Sequence, residues 1–305
     1  MKSNKRNMAL LVLTALIWGT GFVAQSAGGD AIGAFSFNSI RMLVGAAALL
    51  PVIKLLDKTG LNKKKPQTAR DKKNTVIGGV CCGVILTVAS NFQQQGITMG
   101  TSAGKAGFIT ACYIVFVPII GILVGKKINI KIIAGVGLTV IGLYMLCMNG
   151  EAGIQKSDLI VLVCSVCYAV HIMVIDYFSP KADGVRMSCI QFLVCGLMTA
   201  LPMIIFEIAP LGIGAWRSYF NSFEAWVSIL YAGILSCGVA YTLQIVGQVG
   251  VEPTLASMLL SLESVFSVIS GRILLHQYLG IKEIMGCVLI FAAIVLAQLP
   301  DKNKA

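Results

Sequence analysis

Charge is scarce in this chain: Asp, Glu, Lys and Arg make up 12% of it, against 57% hydrophobic residues and a mean hydropathy of +0.85. Soluble domains carry about 25% charged residues, so a water-soluble globule is excluded. Histidine is scarcer still, with only His171 and His276, and no HExxH spacing is present. No pair of acids falls in the middle of an apolar run. The chain therefore lacks the metal cluster, activated nucleophile or paired carboxylates that a membrane-embedded enzyme needs, and no catalytic residue, metal or cofactor is expected. The ten cysteines all lie in apolar runs, where they act as small hydrophobes rather than a disulfide framework. Cys164, Cys167 and His171 share one helical face, but no fourth metal ligand accompanies them.

What is present is long apolar sequence. A helix crossing the ~30 Å hydrocarbon layer needs about 20 apolar residues, and ten such segments occur: 8–27, 32–55, 75–98, 101–124, 129–148, 158–178, 187–208, 225–247, 253–275 and 282–299. The first runs through Trp18 to Ala27, longer than the core of a cleaved signal, and reads as a retained span. The net charge of +11 sits between spans, with no soluble domain to offer it to nucleic acid. Placing the N-terminus inside puts 18 of the 24 basic residues on the cytoplasmic side. By the positive-inside rule both termini are cytoplasmic in a multi-pass plasma-membrane protein. The basic loop 57–74 is a solvated connector on that side, and residues 209–224, with Trp216 and Arg217, suit an outer interfacial segment.

The second half repeats the first. At an offset of 151, Val88, Ala89, Gln93 and Gly96 align with Val239, Ala240, Gln244 and Gly247, and Ile130-Lys131 aligns with Ile281-Lys282. Upstream the offset is 150, pairing Ile40, Leu43 and Val44 with Ile190, Leu193 and Val194. The two units are 1–151 and 152–305. Each holds five spans, and an odd number inverts the second copy in the bilayer. The expected fold is thus an all-α polytopic membrane protein of ten helices in two inverted five-helix repeats. Such repeats build alternating access around a site near the midplane.

An unpaired amide costs several kcal/mol in lipid, which makes the polar side chains in the spans informative. On a helical span three, Thr87, Asn91, Gln94, Gln95 and Thr98 form one stripe. It either lines a wet solute cavity or holds helices together by interhelical hydrogen bonds; four amides in a cluster favour the cavity. Span eight offers Tyr241, Gln244 and Gln248 on one face. Glu263, halfway through span nine, is an ionisable group at depth: a proton-coupling residue, or one bonded structurally to Arg41 or His171. Arg41 either holds an anionic group of a solute or snorkels outward, and Lys105 is expected to snorkel. Trp18, Tyr113 and Tyr168 are candidates to stack on a flat solute, the alternative being ordinary packing. Pro118 and Pro202 are candidate hinges, and Ala103, Gly107 and Ala111 form a small-residue packing ridge.

The stretch Thr101-Ser102-Ala103-Gly104-Lys105-Ala106-Gly107-Phe108-Ile109-Thr110, running to Tyr113 and Val117-Pro118, resembles the EamA family of the drug/metabolite transporter superfamily. Ala15-Leu16-Ile17-Trp18-Gly19, Ile40-Arg41, Leu262-Glu263 and Val265-Phe266 carry the same resemblance. It implies secondary transport, usually efflux of amino acids, other metabolites or toxic compounds, through a cavity lined by spans one to four and six to nine, with five and ten peripheral. The family often has Pro where Ser264 stands, and Glu where Lys126 and Gln277 stand, so a gating role for those acids is not carried over. The partners expected are a small-molecule substrate and the lipid bilayer, with a second copy of the chain as a candidate. A membrane-embedded enzyme and a passive channel are the competing readings.

Overall fold

The computed structural model describes residues 2–59, 65–101, 103–126, 128–147, 155–274 and 280–298. His276, Gln277, Lys127 and the middle of the basic loop lie outside them. Among the described residues the chain is helical with no strands, and ten spans can be followed. Six are helices long and apolar enough to cross a bilayer: α2 (Ala34–Thr59), α3 (Ala69–Thr98), α4 (Lys105–Leu123), α6 (Lys156–Phe178), α7 (Gly184–Leu211) and α8 (Phe223–Gly247). The long α1 (Lys2–Ile32), the shorter apolar α5 (Ile130–Cys147) and α10 (Ile281–Gln298), and a two-part α9 (Pro253–Leu260 and Leu262–Leu274) complete the ten. Large apolar side chains such as Leu197, Leu201 and Phe223 are exposed, while Arg41, Gln94 and His171 are buried. That is the arrangement of a bundle standing in lipid.

Local sequence fixes the helix starts. Thr68 caps α3 in a capping box with Asp71 (Asp71 N to Thr68 Oγ1, 3.1 Å). Asp183 accepts from the Val185 and Arg186 amides to open α7. Glu252 accepts from the Leu255 amide ahead of Pro253, which needs no amide partner of its own. At the α1–α2 junction Gly33 adopts φ +88°, a conformation open to glycine, and a side chain there would strike the Glu207 carboxylate.

The packing follows the repeat. α1 packs on α8 as α6 packs on α3; α2 on α8 as α7 on α3; α1 on α9 as α6 on α4. α2 packs with α7 and α5 with α10, each pair joining equivalent helices. These pairs map onto one another when the first five spans are exchanged for the second five, as an inverted repeat requires, whereas the packing of α1 on α2 and α3 has no equally extensive counterpart of α6 on α7 and α8. α5 and α10 lie against each other, with Gly142 in close approach to the Gly286 carbonyl. We call the side holding the start of α1 and the end of α3's preceding loop the near face, and the side holding the α1–α2 turn the far face.

Three interruptions were not legible from hydropathy. α4 is broken at Cys112, where Val115 N bonds Cys112 O in a tightened turn. α9 is broken at Ser261, whose hydroxyl bonds back to Met258 O (2.8 Å). α8 runs as a π-helix over Tyr231–Tyr241. The expected hinge Pro118 lies inside the unbroken half Tyr113–Leu123, whereas Pro202 directly precedes a π turn at Ile204–Ile208.

Candidate solute cavity between the repeats

The interruptions of α4, α8 and α9 all meet one cavity of about 30 Å³ inside the bundle. α1 contributes Trp18, Phe22 and Gln25; α2 Arg41; α3 Gln93; α4 Thr110 and Tyr113; α6 Tyr168; α8 Ser236 and Tyr241; α9 Glu263. α7, expected among the lining spans, supplies none of these residues. A volume of that size admits about one or two water molecules.

The wide turns of α8 leave carbonyls turned outward, and α1 takes them up. Trp18 Nε1 donates to Ser236 O (3.4 Å) and Thr14 Oγ1 to Ala240 O (3.1 Å). π turns are frequent at functional sites. The Trp18 ring meets Tyr241 edge-on, with centroids 4.6 Å apart. From there a hydrogen-bonded chain crosses the cavity: Tyr241 OH to Tyr168 OH (3.3 Å), Tyr168 OH to Gln93 Oε1 (3.4 Å), and Gln93 Nε2 to Thr110 Oγ1 (3.1 Å). Both ends of the Gln93 amide are thereby fixed.

Two ionisable groups face this space. Arg41 is 2% exposed and does not snorkel; its Nε donates to Asn38 Oδ1 (2.8 Å) and its guanidinium lies 5.4 Å from the centre of the Phe37 ring. Glu263, 4% exposed, accepts from Tyr113 OH (3.3 Å). Among the described residues neither forms an ion pair, so the expected structural partners of Glu263, Arg41 and His171, give way to Tyr113. Lys105 is also corrected: it is 4% exposed and pairs with Asp158 (2.6 Å) at the far face instead of reaching outward.

The amide stripe of α3 faces its neighbours rather than the cavity. Asn91 Nδ2 donates to Thr199 Oγ1 (2.8 Å), and Asn91 Oδ1 accepts from Asn38. Gln94 is fully buried and donates to Gln25 O (2.9 Å). Gln95 is half-buried and off the cavity wall. Gln244 is buried but does not line the cavity either, and His171 stands behind Tyr241, ring centroids 6.1 Å apart, bonded through Nε2 to Gln191 Oε1 (3.1 Å). Of the candidates, Trp18, Arg41, Tyr113, Tyr168, Tyr241 and Glu263 come together at the cavity; Asn91, Gln94, Gln95, His171, Gln244 and Gln248 do not. The sequence reading passed over Phe22, Gln25, Thr110 and Ser236 as site residues and treated Gln93 only as a repeat mate. Trp18, Phe22 and Gln25 at i, i+4 and i+7 form a face of α1 that was open to inspection. Among the described residues no cluster of three His, Cys, Asp or Glu is gathered for a metal.

The model of the EamA-like transporter family matches residues 6–148 and again residues 155–299. The chain belongs to the EamA-like transporter family. An "uncharacterized transporter" of Archaeoglobus fulgidus is 27% identical over 290 residues, covering 95% of this chain and 84% of that one. "Uncharacterized transporter YoaV" of Bacillus subtilis is 23% identical over 296 residues, 94% of each. A solved structure titled "Crystal structure of protein" shares the fold, with a TM-score of 0.74 at 18% identity over 95% of this chain and 96% of that one. This EamA-like chain is thus a multi-pass membrane transporter of the family's helical-repeat architecture, and the cavity lies between its two family-matching halves.

Proposed function

We propose that the protein is a secondary carrier, and an exporter, for a small zwitterionic organic solute of the amino-acid type, working by alternating access around the central cavity. The observation that carries this reading is a buried guanidinium and a buried carboxyl sharing one cavity, hydrogen-bonded to Asn38 and Tyr113 but in no ion pair with each other or with another described residue. A buried charge without a counter-ion costs several kcal/mol. A zwitterion offers both counter-ions at once, its carboxylate to Arg41 and its ammonium to Glu263 and Gln25, with Trp18, Phe22, Tyr113 and Tyr241 around its side chain.

At about 30 Å³ the cavity is smaller than such a solute, which favours a carrier in a closed form over a standing channel. Admission requires the Trp18–Tyr241 contact and the Tyr241–Tyr168 bond to part. The near face, where the basic residues gather, is read as cytoplasmic, and the membrane as the plasma membrane. Outward direction rests on the family's usual role.

Thermal shift of the purified protein against amino acids, their amides and the corresponding amines tests the binding chemistry. Stabilisation by the zwitterion and its loss in both derivatives is the expected result; equal response to all three overturns the zwitterion. Saturable counterflow in proteoliposomes distinguishes the carrier from a channel.

A further inference from the structure

Between the cavity and the near face, α6, α7 and α8 meet in a seam lined with polar groups that find no partner among the described residues. His171 Nδ1, Ser188 Oγ, Gln191 Nε2, Gln244 Oε1 and Gln248 Oε1 are all buried and unbonded there. The three helices are in contact at this level. His171 bonds Gln191, Gln248 Nε2 donates to Ile172 O (3.2 Å), and Tyr241 of the cavity wall touches both the His171 and Phe192 rings. Tyr241, Gln244 and Gln248 follow one another along one face of α8, so the polar line descends about 10 Å from the cavity floor toward the near face.

The mirror-related α1–α2–α3 seam toward the far face is more fully bonded: only Gln25 Oε1 and Gln94 Oε1 lack a partner there among the described residues, against five atoms in the near seam. Ser188, Gln191 and Gln244 correspond through the repeat to Asn38, Arg41 and Gln93. There Arg41 Nε bonds Asn38 Oδ1, Asn38 Nδ2 bonds Ser90 O (2.8 Å) and Asn91 Oδ1 (3.0 Å), and Gln93 is held at both ends. A seam whose polar groups bond across it loses those bonds when it opens. One whose groups are orphaned gains bonds to water when it opens, because an unmade buried hydrogen bond is costlier than a hydrated one. The two halves of the molecule therefore differ in the work of opening.

Resting on the carrier reading above, we propose that the α6–α7–α8 seam is the path by which the central cavity opens to the near face, with water entering along Gln244, Gln248, Ser188 and Gln191 as it does so. The Tyr241–Tyr168 bond closes its inner end. His171, behind Tyr241, takes its missing hydrogen bond from that water.

Two measurements on the full-length protein in proteoliposomes decide it. The first is a substitution. Gln244→Leu replaces an orphaned amide by an apolar group, which should raise the melting temperature by about 2 °C. It should also slow solute counterflow about tenfold, since the open seam loses a hydrated group. Unchanged counterflow, or a lower melting temperature, overturns the proposal. The second is labelling, in a variant whose native cysteines are replaced. Ser188→Cys should react with a membrane-impermeant thiol reagent only from the side that labels a Lys181→Cys marker, since Lys181 is exposed at the near face, and added solute should change the rate. No reaction from that side, or reaction from the opposite side, overturns it. Absence of counterflow in the unaltered protein would instead defeat the carrier reading, and the labelling result would still report on the seam.

Discussion

A single step around a helix decides what a glutamine does in this protein. Gln93 and Gln94 are neighbours in the chain, about 100° apart on α3. Gln93 bridges Tyr168 and Thr110 at the cavity, while Gln94 reaches across to the Gln25 carbonyl. The periodicity of the sequence groups Asn91, Gln94 and Gln95 on one stripe correctly, yet it carries no information on which neighbour that stripe meets. The favoured cavity-facing reading therefore fell on the wrong side of the helix. Gln94→Leu is expected to lower stability by about 0.6–2 kcal/mol and to leave solute-induced thermal stabilisation in place. Gln93→Leu should abolish that stabilisation while melting nearer to the unaltered protein. The reverse pattern would return the site to the stripe. Glu263, by contrast, was legible, because an acid in the middle of a span is hard to explain by packing alone. If it carries the coupling proton, Glu263→Gln abolishes proton-driven accumulation and preserves solute exchange in counterflow; driven accumulation at the normal level removes Glu263 from that role.

The elements show a device that no single span could reveal. At the far face, Glu207 at the end of α7 accepts from the Phe35 and Ser36 amides (2.8 and 2.7 Å) at the first turn of α2. At the near face, Asp57 at the end of α2 holds Arg186 in the first turn of α7, where Asp183 also binds the Arg186 guanidinium. Glu207 and Asp57 stand 150 residues apart, as do the turns they hold, so the two clasps are repeat equivalents. Each sets a carboxylate at a helix N-terminus or at the arginine in its first turn, where negative charge is favoured by about 0.3–1 kcal/mol, and by up to ~2 kcal/mol when partly buried. Glu207→Gln should speed amide hydrogen exchange at Phe35 and Ser36 by about fivefold, the equivalent of roughly 1 kcal/mol, with no change at Val185 and Arg186. Asp57→Asn should do the opposite. Exchange that rises at both faces in either variant would mean that α2 and α7 loosen as one body and that the clasps are not independent. Hydropathy could not disclose these contacts, since each joins residues far apart in the chain through the ends of spans.

At the scale of the whole molecule the repeat was readable, because aligned Gln, Gly and Lys residues stand out against an apolar background, whereas the departures from its symmetry were not. α4 and α6 are tied at both ends by ion pairs, Lys105 with Asp158 at the far face and Lys126 with Asp176 at the near face. The equivalent pair, α9 and α1, packs instead through Gly19 against the Glu263 carbonyl, and the start of α1 is held by Asn7 Nδ2 on Val249 O (2.6 Å). One arm of the bundle is thus fastened by charge across the boundary between its halves, and the other by close backbone contact. The Lys105–Asp158 pair is the more consequential tie. Both side chains are about 5% exposed or less, and Asp158 also accepts from Thr101 Oγ1 (3.1 Å) and from the Gln155 amide (2.7 Å) that it caps. Removing one partner of a buried pair leaves an uncompensated charge and costs roughly 3–5 kcal/mol, whereas removing both is far milder. Lys105→Met should therefore melt well below the unaltered protein, and Lys105→Met combined with Asp158→Asn should recover part of the loss, since the amide oxygen can still accept from the Gln155 amide while its nitrogen donates to Thr101 Oγ1. Equal melting of the single and double variants would show that Asp158 acts only as a cap. α4 and α6 would then be joined at this face without a contribution from the ion pair.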